Sequence, residues 1–460
     1  PFATMMSHIR GMASDIAAME VLGPNPNATL EWLKQTIRKE AAAAENGKPS
    51  RMKAGRYMGI TSVRSTANLT IRELDGVYQE LRGGAPVGSE GFAAFGAGIR
   101  NFLVAAKLGG ATLSAVSSDP GTVAVAKGFI GMPVTNTYWN IAKQFSSMSR
   151  REAIAAGLIH EESMHVLREQ ARYAGSLSGP EWTRVLPDRV LTWNGLAPWT
   201  QAVKHAFGRD FQAYVAGLQD RGWNALPPEF RRVIEGYGFK EKDWSVIQRA
   251  QPQEIGEARF LRFSDIDRVK DPEASRIADR WSEMIHQETE YAVPSGTARG
   301  RAIMLGTSQP GTISGEFARS FAMFKSFGVS VSMLQGARVA AEVSGGRGAR
   351  GAAYAGSALI TLTLGGMLGN WLKDIAAGKD PRPVDSPGFV LEAMLQGGGL
   401  GIYGDFLLAD YNRFGNSLAS TIAGPVVGLG EDVLKLTAGQ FVKLAKGEPV
   451  DFPDQAQRML

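Results

Sequence analysis

Residues 351–372 read GAAYAGSALITLTLGGMLGNWL and contain no Asp, Glu, Lys or Arg. A helix that crosses a bilayer needs about 20 mostly apolar residues, so this segment is long enough to span one. It also carries five glycines together with Ser, Thr and Asn, and the chain around it is charged. The pattern predicts a helix whose composition is intermediate between that of a buried core helix and that of a membrane-spanning helix. We therefore expect a chain that lives in both states, as a delivered or membrane-penetrating protein would.

The rest of the chain is typical of a helical protein with several domains. Its 460 residues exceed one ordinary core and predict two to four domains. Almost no stretch alternates between apolar and polar residues, so we predict an all-α fold, an extended multi-domain helical protein with glycine-rich apolar helices. Composition separates an N-terminal helical region with an apolar hairpin (1–135), an aromatic-rich helical domain (136–293) and a basic, glycine-rich apolar C-terminal helical region (294–460).

Two totals limit the classes of function. The chain has no Cys, which excludes disulfides and Cys-ligated metals. The formal net charge of +5 is too small for a nucleic-acid-binding tail, so only local clusters of charge carry information. Residues 1–12 lack the regions of a signal peptide, and we expect the chain to begin inside a longer gene product or to have been processed.

Local patterns place several helix boundaries. Thr29 is the expected N-cap of a first helix. The apolar residues 101–132 are expected to form a hairpin of two short helices that turns at the Asp-Pro-Gly tripeptide 119–121. Asp271 is the expected cap of a later helix with Pro272 in its first turn. These boundaries rest on turn and cap chemistry alone.

The middle of the chain carries large apolar side chains close to helical spacing. We expect them to pack in a core rather than to form an aromatic binding box, because such spacing is usually interior; they are Trp199, Val203, Phe207, Phe211 and Leu218. Further on, Ser314 and Glu316 are expected to open one helix that continues through Leu334.

The only markedly basic region adjoins the uncharged segment. Seven basic residues stand against two acidic ones between residues 299 and 351: Arg299, Arg301, Arg319, Lys325, Arg338, Arg347 and Arg350. These side chains are candidates for contact with the phosphates of DNA or of lipid. A solvated basic face is the other interpretation.

Glycines within residues 351–372 are candidate packing positions. Small residues let helix backbones approach closely, which drives helix association in lipid. The candidates are Gly356, Gly365, Gly366 and Gly369. A tightly packed helical hairpin inside a soluble domain fits the same residues.

The sequence contains no complete motif for catalysis or metal binding. His160 and His165 are five residues apart, whereas two metal ligands on one helical face need a spacing of four. Without Cys and without a GxSxG motif the sequence offers no nucleophile. We therefore predict no enzyme activity, no metal and no cofactor. The rival hypothesis is a peptidoglycan-degrading protein of the lytic transglycosylase type, or its scaffold, with Glu161 or Glu162 as the acid.

Several longer segments look familiar. Residues 291–337 (YAVPSGTARGRAIMLGTSQPGTISGEFARSFAMFKSFGVSVSMLQGA), 372–389 (LKDIAAGKDPRPVDSPGF) and 394–415 (MLQGGGLGIYGDFLLADYNRFG) resemble the C-terminal portion of large internal virion proteins, or ejection proteins, of short-tailed phages and prophages. Residues 103–120 and 193–208 are similar to the same group. The resemblance extends from about residue 99 to residue 446, and none of its motifs is catalytic.

The resemblance implies a structural function. Such a protein is packed in the virion interior near the portal and is ejected into the host envelope, where it forms a conduit for DNA. The implied partners are further copies in a homo-oligomer, other internal virion proteins, portal and tail components, viral DNA, and the host inner membrane or periplasm. Residues 351–372 and 99–132 would be the helices that engage the envelope.

Overall fold

A computed structural model describes residues 12, 15–16, 18–47, 62–81, 87–107, 111–143 and 196–396, with short interruptions at 256–257, 295, 297, 323–324, 377 and 385–386. Within these ranges the protein is helical apart from one two-stranded hairpin, which confirms the predicted all-α class. The sequence also predicts a capping box at Ser149 and Glu152. Those two residues and the glycine-rich run from residue 397 lie outside the described residues.

The described residues of the first half contain eight α-helices: α1 (Pro26–Glu45), α2 (Val63–Leu81), α3 (Glu90–Lys107), α4 (Ala111–Ile130), α5 (Thr137–Lys143), α6 (Leu196–Leu218), α7 (Pro228–Gly236) and α8 (Glu241–Ile247). A 3-10 turn at Trp223–Ala225 precedes α7, and strands β1 (Gln253–Ile255) and β2 (Ala258–Phe260) pair antiparallel after α8. The second half continues with α9 (Phe263–Asp267), α10 (Ala274–Ala292), α11 (Ala298–Leu305), α12 (Ile313–Ala322), α13 (Lys325–Ser344), α14 (Gly348–Ala376) and α15 (Pro387–Gln396).

The first helix begins earlier than the sequence predicted. Asn25 is its N-cap, and the Asn25 side chain accepts a hydrogen bond from the Ala28 amide at 3.1 Å. Pro26 occupies the first turn, where its missing N–H is no loss. Thr29, the expected cap, instead donates its hydroxyl hydrogen to the Leu22 carbonyl at 2.6 Å. The prediction was wrong because Asn25 followed by Pro26 is the stronger start.

The apolar hairpin does not turn at the predicted tripeptide. Residues 119–121 lie inside α4, and residues 108–110 between α3 and α4 lie outside the described residues. The Asp119 carboxylate accepts a hydrogen bond from Trp199 Nε1 at 3.1 Å, and the Thr122 hydroxyl bonds the carbonyl of Ala292 at 2.8 Å. Tertiary contacts of this kind stabilise a helix around Pro120 that local propensity disfavours.

A later boundary also differs from prediction. Helix α10 begins at Ala274 with Glu273 as its cap, because the Asp271 carboxylate pairs with Arg249 and accepts from the Glu273 amide at 3.0 Å. The helix predicted from Ser314 to Leu334 is described as α12 and α13, and residues 323–324 between them lie outside the described residues.

The aromatic core confirms the prediction for the middle of the chain. Val203, Phe207, Phe211 and Leu218 of α6 are buried, and Trp199 packs against the same cluster. The Phe211 ring lies between Phe207, Phe230 and Trp281, with centroid distances of 6.2, 6.5 and 6.3 Å. Helices α6, α7, α8 and α10 build this core, and the end of α4 contributes to it.

Helix α14 packs along α4 through small residues. A Cβ on Gly365 would lie 2.8 Å from the Cα of Ser118, a separation that side chains essentially never adopt. Thr361 of α14 likewise lies where a side chain on Gly121 of α4 would point. Near the other end, the Tyr354 ring meets the edge of the Phe129 ring at 5.1 Å. The two helices therefore run antiparallel in close contact.

The three predicted domains are not separated by this packing. Helix α4 from the N-terminal stretch contacts α6 and α10 from the middle stretch and α14 from the C-terminal stretch. The division into three folding units stays a prediction.

We expect Gly365→Ala to destabilise the protein by about 1–3 kcal/mol, because the new methyl group overlaps the α4 backbone. The matched control is Gly356→Ala on the same helix, where a Cβ meets nothing within 4 Å. That control should be neutral or stabilising by up to about 1 kcal/mol, since alanine favours the helix. Denaturant unfolding of both variants measures the difference, and equal stability would contradict the close packing.

Candidate functional site

Helix α14 presents large apolar side chains to the outside. Ile360 and Leu364 are 62% and 59% exposed, and Leu368 and Ile375 are exposed as well. Their spacing places these four residues within about 80° around the helix axis. We call Ile360, Leu364, Leu368 and Ile375 the outer apolar stripe. In water each such side chain forgoes about 1.5–3 kcal/mol of burial free energy.

The opposite face of α14 is built mainly from small residues. Gly351, Gly365, Gly366 and Gly369 are buried there. Three of the four glycines that the sequence singled out thus lie at the helix contact, whereas Gly356 has open space around it. A helix of a water-soluble core buries its large apolar residues, whereas α14 exposes them and buries small ones. This is the usual arrangement of a helix surrounded by lipid.

The length and composition of α14 fit a bilayer. Among the described residues it is the one helix long and apolar enough to cross a membrane, with a mean hydropathy of 1.3 over 18 residues and 22% of that window buried. The uncharged part, 351–372, measures about 33 Å as a helix, close to the hydrocarbon thickness of about 30 Å. A core helix of similar composition would be mostly buried.

Helix α4 is held in the aromatic core by polar contacts. Lys127 is buried and lies 2.5 Å from the Asp210 carboxylate, which also accepts from Asn140 at 2.9 Å. Asp119 bonds Trp199 as described above. The expectation that residues 99–132 engage the envelope stays a prediction, and it would require these contacts to break.

Two of the seven predicted phosphate-binding residues pair with helix α2. Arg299 lies 2.5 Å from Glu73, and Arg301 lies 3.0 Å from Glu80. Gly76, between those two acids in sequence, allows this approach, since a Cβ there would lie 3.1 Å from Ala302. Both arginines join α11 to α2 in the described conformation.

A third residue, Arg338, is enclosed in the protein. Its guanidinium pairs with the buried carboxylate of Glu288 and lies 3.5 Å from the Tyr291 ring centroid and 4.3 Å from that of Phe129. Burial lowers the pKa of Arg338, but the charge of Glu288, its hydrogen bond to Arg338 and the hydroxyl groups of Tyr354 and Tyr291 together raise it overall. A phosphate could reach Arg338 only if Glu288 or its helix moved away.

Glu288 has a second partner that the sequence did not reveal. The Tyr237 hydroxyl donates to Glu288 Oε1 at 2.9 Å. Burial, together with the charge of Glu288 and this hydrogen bond, raises the pKa of Tyr237. The network of Arg338, Glu288 and Tyr237 joins α13 to α10 and to the end of α7.

The remaining predicted basic residues differ in exposure. Arg319 is half-buried near Arg100, and burial together with that like charge lowers its pKa. Arg347 pairs with Glu342 at 2.8 Å, and Arg350 is exposed with no acidic partner among the described residues. Lys325 begins α13, and its side chain lies outside the described part of the structure.

The residues of the rival enzyme hypothesis cannot be placed. His160, Glu161, Glu162 and His165 lie outside the described residues. Within the described ranges, no group of three or more His, Cys, Asp or Glu side chains is arranged to hold a metal ion. Predictions about catalysis therefore stay predictions.

Comparison with protein-family models, curated proteins and solved structures found no match to this chain. The resemblance of residues 291–337 and the other segments to ejection proteins therefore stays a prediction. The geometry of α14 and of its surrounding charges supplies the structural argument for function.

We expect Arg338→Met to destabilise the protein by about 3–5 kcal/mol, because it leaves Glu288 buried without its cation. The double variant Arg338→Met with Glu288→Leu should recover a large part of this loss, since no buried charge remains. Arg268→Met is the control, because the Arg268 side chain is 74% exposed and its ion pair is long at 3.8 Å. Denaturant unfolding that shows equal losses for Arg338→Met and Arg268→Met would contradict the buried pair.

Stability should also fall in alkaline solution through Tyr237. Because its folded-state pKa lies above the unfolded value, the stabilisation is complete below about pH 10 and is lost as the pH rises further. Tyr237→Phe should reduce the fall by up to about 1.4 kcal/mol per pH unit above that pH. Unfolding free energies measured across this range, with the exposed Tyr138→Phe as control, test the sign; identical slopes would contradict it.

Proposed function

We propose that this chain is a membrane-engaging helical structural protein that serves as an internal virion, or ejection, protein of a short-tailed phage or prophage. The observation that carries the proposal is the outer apolar stripe of α14, whose large side chains are exposed while the glycines of the opposite face are buried, Gly365 against α4. The resemblance of the flanking segments to ejection proteins supplies the biological setting.

The stripe favours an apolar partner for energetic reasons. Transfer of four Leu and Ile side chains from water into lipid or a protein interface gains about 1.5–3 kcal/mol for each one that becomes fully buried. The glycines opposite the stripe contribute little apolar side-chain area of their own to the contact with α4. Complete insertion of α14 requires that separation, whereas binding to a bilayer surface requires only the stripe.

The remaining helices have a supporting function in this proposal. The aromatic core of α6, α7, α8 and α10 is a folded unit that carries α4 and α13 through buried ion pairs. Copies of the chain in a homo-oligomer would cover any part of the stripe that lipid does not. DNA delivery, the partners in the virion, and the move from virion interior to host envelope rest on the resemblance.

The test compares two identical substitutions at exposed isoleucines. Ile360→Asp lies in the outer apolar stripe, and Ile313→Asp lies at the start of α12, where Ile313 is 84% exposed. We expect the full chain to bind phospholipid vesicles and Ile360→Asp to weaken that binding by at least about tenfold, because a carboxylate replaces a lipid-buried side chain. Ile313→Asp should bind as the unaltered chain does.

Vesicle flotation with both variants measures the partition coefficient. Absence of binding by the unaltered chain would remove the membrane function. Equal effects of Ile360→Asp and Ile313→Asp would show that binding does not use α14. Circular dichroism of both variants controls for loss of fold.

A further inference from the structure

Three arginines converge where α13 ends and α14 begins. Arg347 Nε lies 2.8 Å from one oxygen of the buried Glu342 carboxylate, and Arg232 Nε lies 3.5 Å from the other. Arg350 stands exposed in the first turn of α14. We call Arg232, Arg347 and Arg350 around Glu342 the arginine corner.

The backbone brings this corner together. Gly346 adopts a φ of 75°, which reverses the chain between the two helices and favours glycine. Gly351 lets α14 approach α13, since a Cβ there would lie 3.3 Å from the Val339 carbonyl oxygen and 3.4 Å from the Glu342 Cβ. Helix α7 supplies Arg232, which also donates to the Phe129 carbonyl at 2.9 Å.

Positive charge exceeds negative charge in the corner. Glu342 pairs with Arg347 and Arg232, and Arg350 lies close enough for its charge to act on Arg232. Burial lowers the pKa of Arg232, and the like charges of Arg350 and Arg347 lower it further, whereas Glu342 and the weaker Glu229 raise it. An anion placed beside Arg232 and Arg350 would relieve this repulsion.

We propose that the arginine corner binds the phosphate of an anionic phospholipid headgroup; this inference rests on the proposed function of α14. The corner borders residue 351, where the uncharged stretch begins, so it stands at headgroup level when the outer apolar stripe meets a bilayer. Arginine suits this site because its planar guanidinium binds phosphate oxygens through two N–H groups at once.

Nucleic acid is the less suitable partner. Duplex DNA presents one phosphate about every 1.7 Å along its axis and is bound by rows of cations. Arg299, Arg301 and Arg338 are engaged by Glu73, Glu80 and Glu288, so they do not extend the corner into such a row.

The other end of α14 shows the opposite balance. Residues 373–396 contain three basic and four acidic side chains, and Arg382 pairs with Asp374 at 2.8 Å and with Glu392 at 2.6 Å. Of the two ends of α14, the end at the arginine corner is therefore the one that attracts an anionic surface. The asymmetry gives α14 a direction, with residue 348 at the anionic leaflet.

The first arm of the test uses vesicles of phosphatidylcholine alone and of phosphatidylcholine with phosphatidylglycerol. We expect the full chain to partition more strongly into the anionic vesicles. Arg350→Gln should lower the partition coefficient about fivefold in the anionic vesicles and leave it unchanged in neutral ones. The reason is that one positive charge attracted by the anionic surface is removed. Arg350→Lys should keep most of the preference. Arg268→Gln, which removes the same charge from an exposed site, should change it by less than about twofold.

The second arm needs no membrane. Dihexanoyl phosphatidylglycerol below its micelle concentration and inorganic phosphate are titrated separately against the full chain with 15N-labelled arginine. The lipid should shift the Arg232 and Arg350 side-chain signals more strongly than phosphate does, and Arg350→Gln should weaken the effect on Arg232.

The outcomes separate the two proposals. If the chain binds both vesicle types equally and Arg350→Gln matches Arg268→Gln, the corner proposal is overturned while the function of α14 stands. If the chain binds no vesicle, the proposed function fails and the soluble lipid titration decides the corner by itself. Equal shifts with inorganic phosphate would reduce the corner to a free-anion site. Salt-dependent loss of duplex DNA binding in Arg350→Gln, without loss in vesicles, would assign it to nucleic acid instead.

Discussion

Helix α14 can bury only one of its two faces in the described fold, and the face that it buries is the one made of glycine. The contact between Gly365 and Ser118 fixes this choice, because no side chain fits between those two backbones. Ile360 and Leu364 must then point outward. The exposed stripe is therefore a consequence of close helix packing, and any rotation of α14 that hid the leucines would drive them into the α4 backbone.

The neighbouring helix α13 is held in a different way. Its Arg338 is buried against Glu288 and three aromatic rings, so removing α13 from the core would strip a charged pair of its partners. Breaking such a pair costs several kcal/mol, whereas the contact of Gly365 with Ser118 of α4 is one of van der Waals packing. The two helices are joined by the turn at Gly346, so the fold places a helix held by a buried ion pair beside one held mainly by packing.

Local patterns predicted the parts of the fold that depend on one helix alone. The uncharged segment within α14 and the buried face of Phe207 and Phe211 follow from periodicity. The Asp-Pro-Gly tripeptide misled because Trp199, about 80 residues away, bonds Asp119 inside a helix. Counting charge also could not reveal the buried partner of Arg338, since Glu288 is 50 residues distant in sequence. Arg232 escaped notice for the same reason, because no single stretch contains the arginine corner.

A protein that exchanges water for lipid need not rearrange every helix. The inner face of α14 packs mainly through small residues, whose van der Waals contacts lipid tails or a sister helix can replace. Tyr354 is an exception, because its ring meets Phe129 and its hydroxyl donates to Gln335 of α13. The polar bonds of α4 and α13 run inward to the aromatic core and would be costly to desolvate in a bilayer. Because the polar contacts hold α4 and α13 to the core, α14 is the helix that can exchange its protein contacts for lipid. The arginine corner lies at the point where this helix joins the part that stays folded, so a phosphate bound there would hold the hinge, and not the helix centre, at the membrane surface.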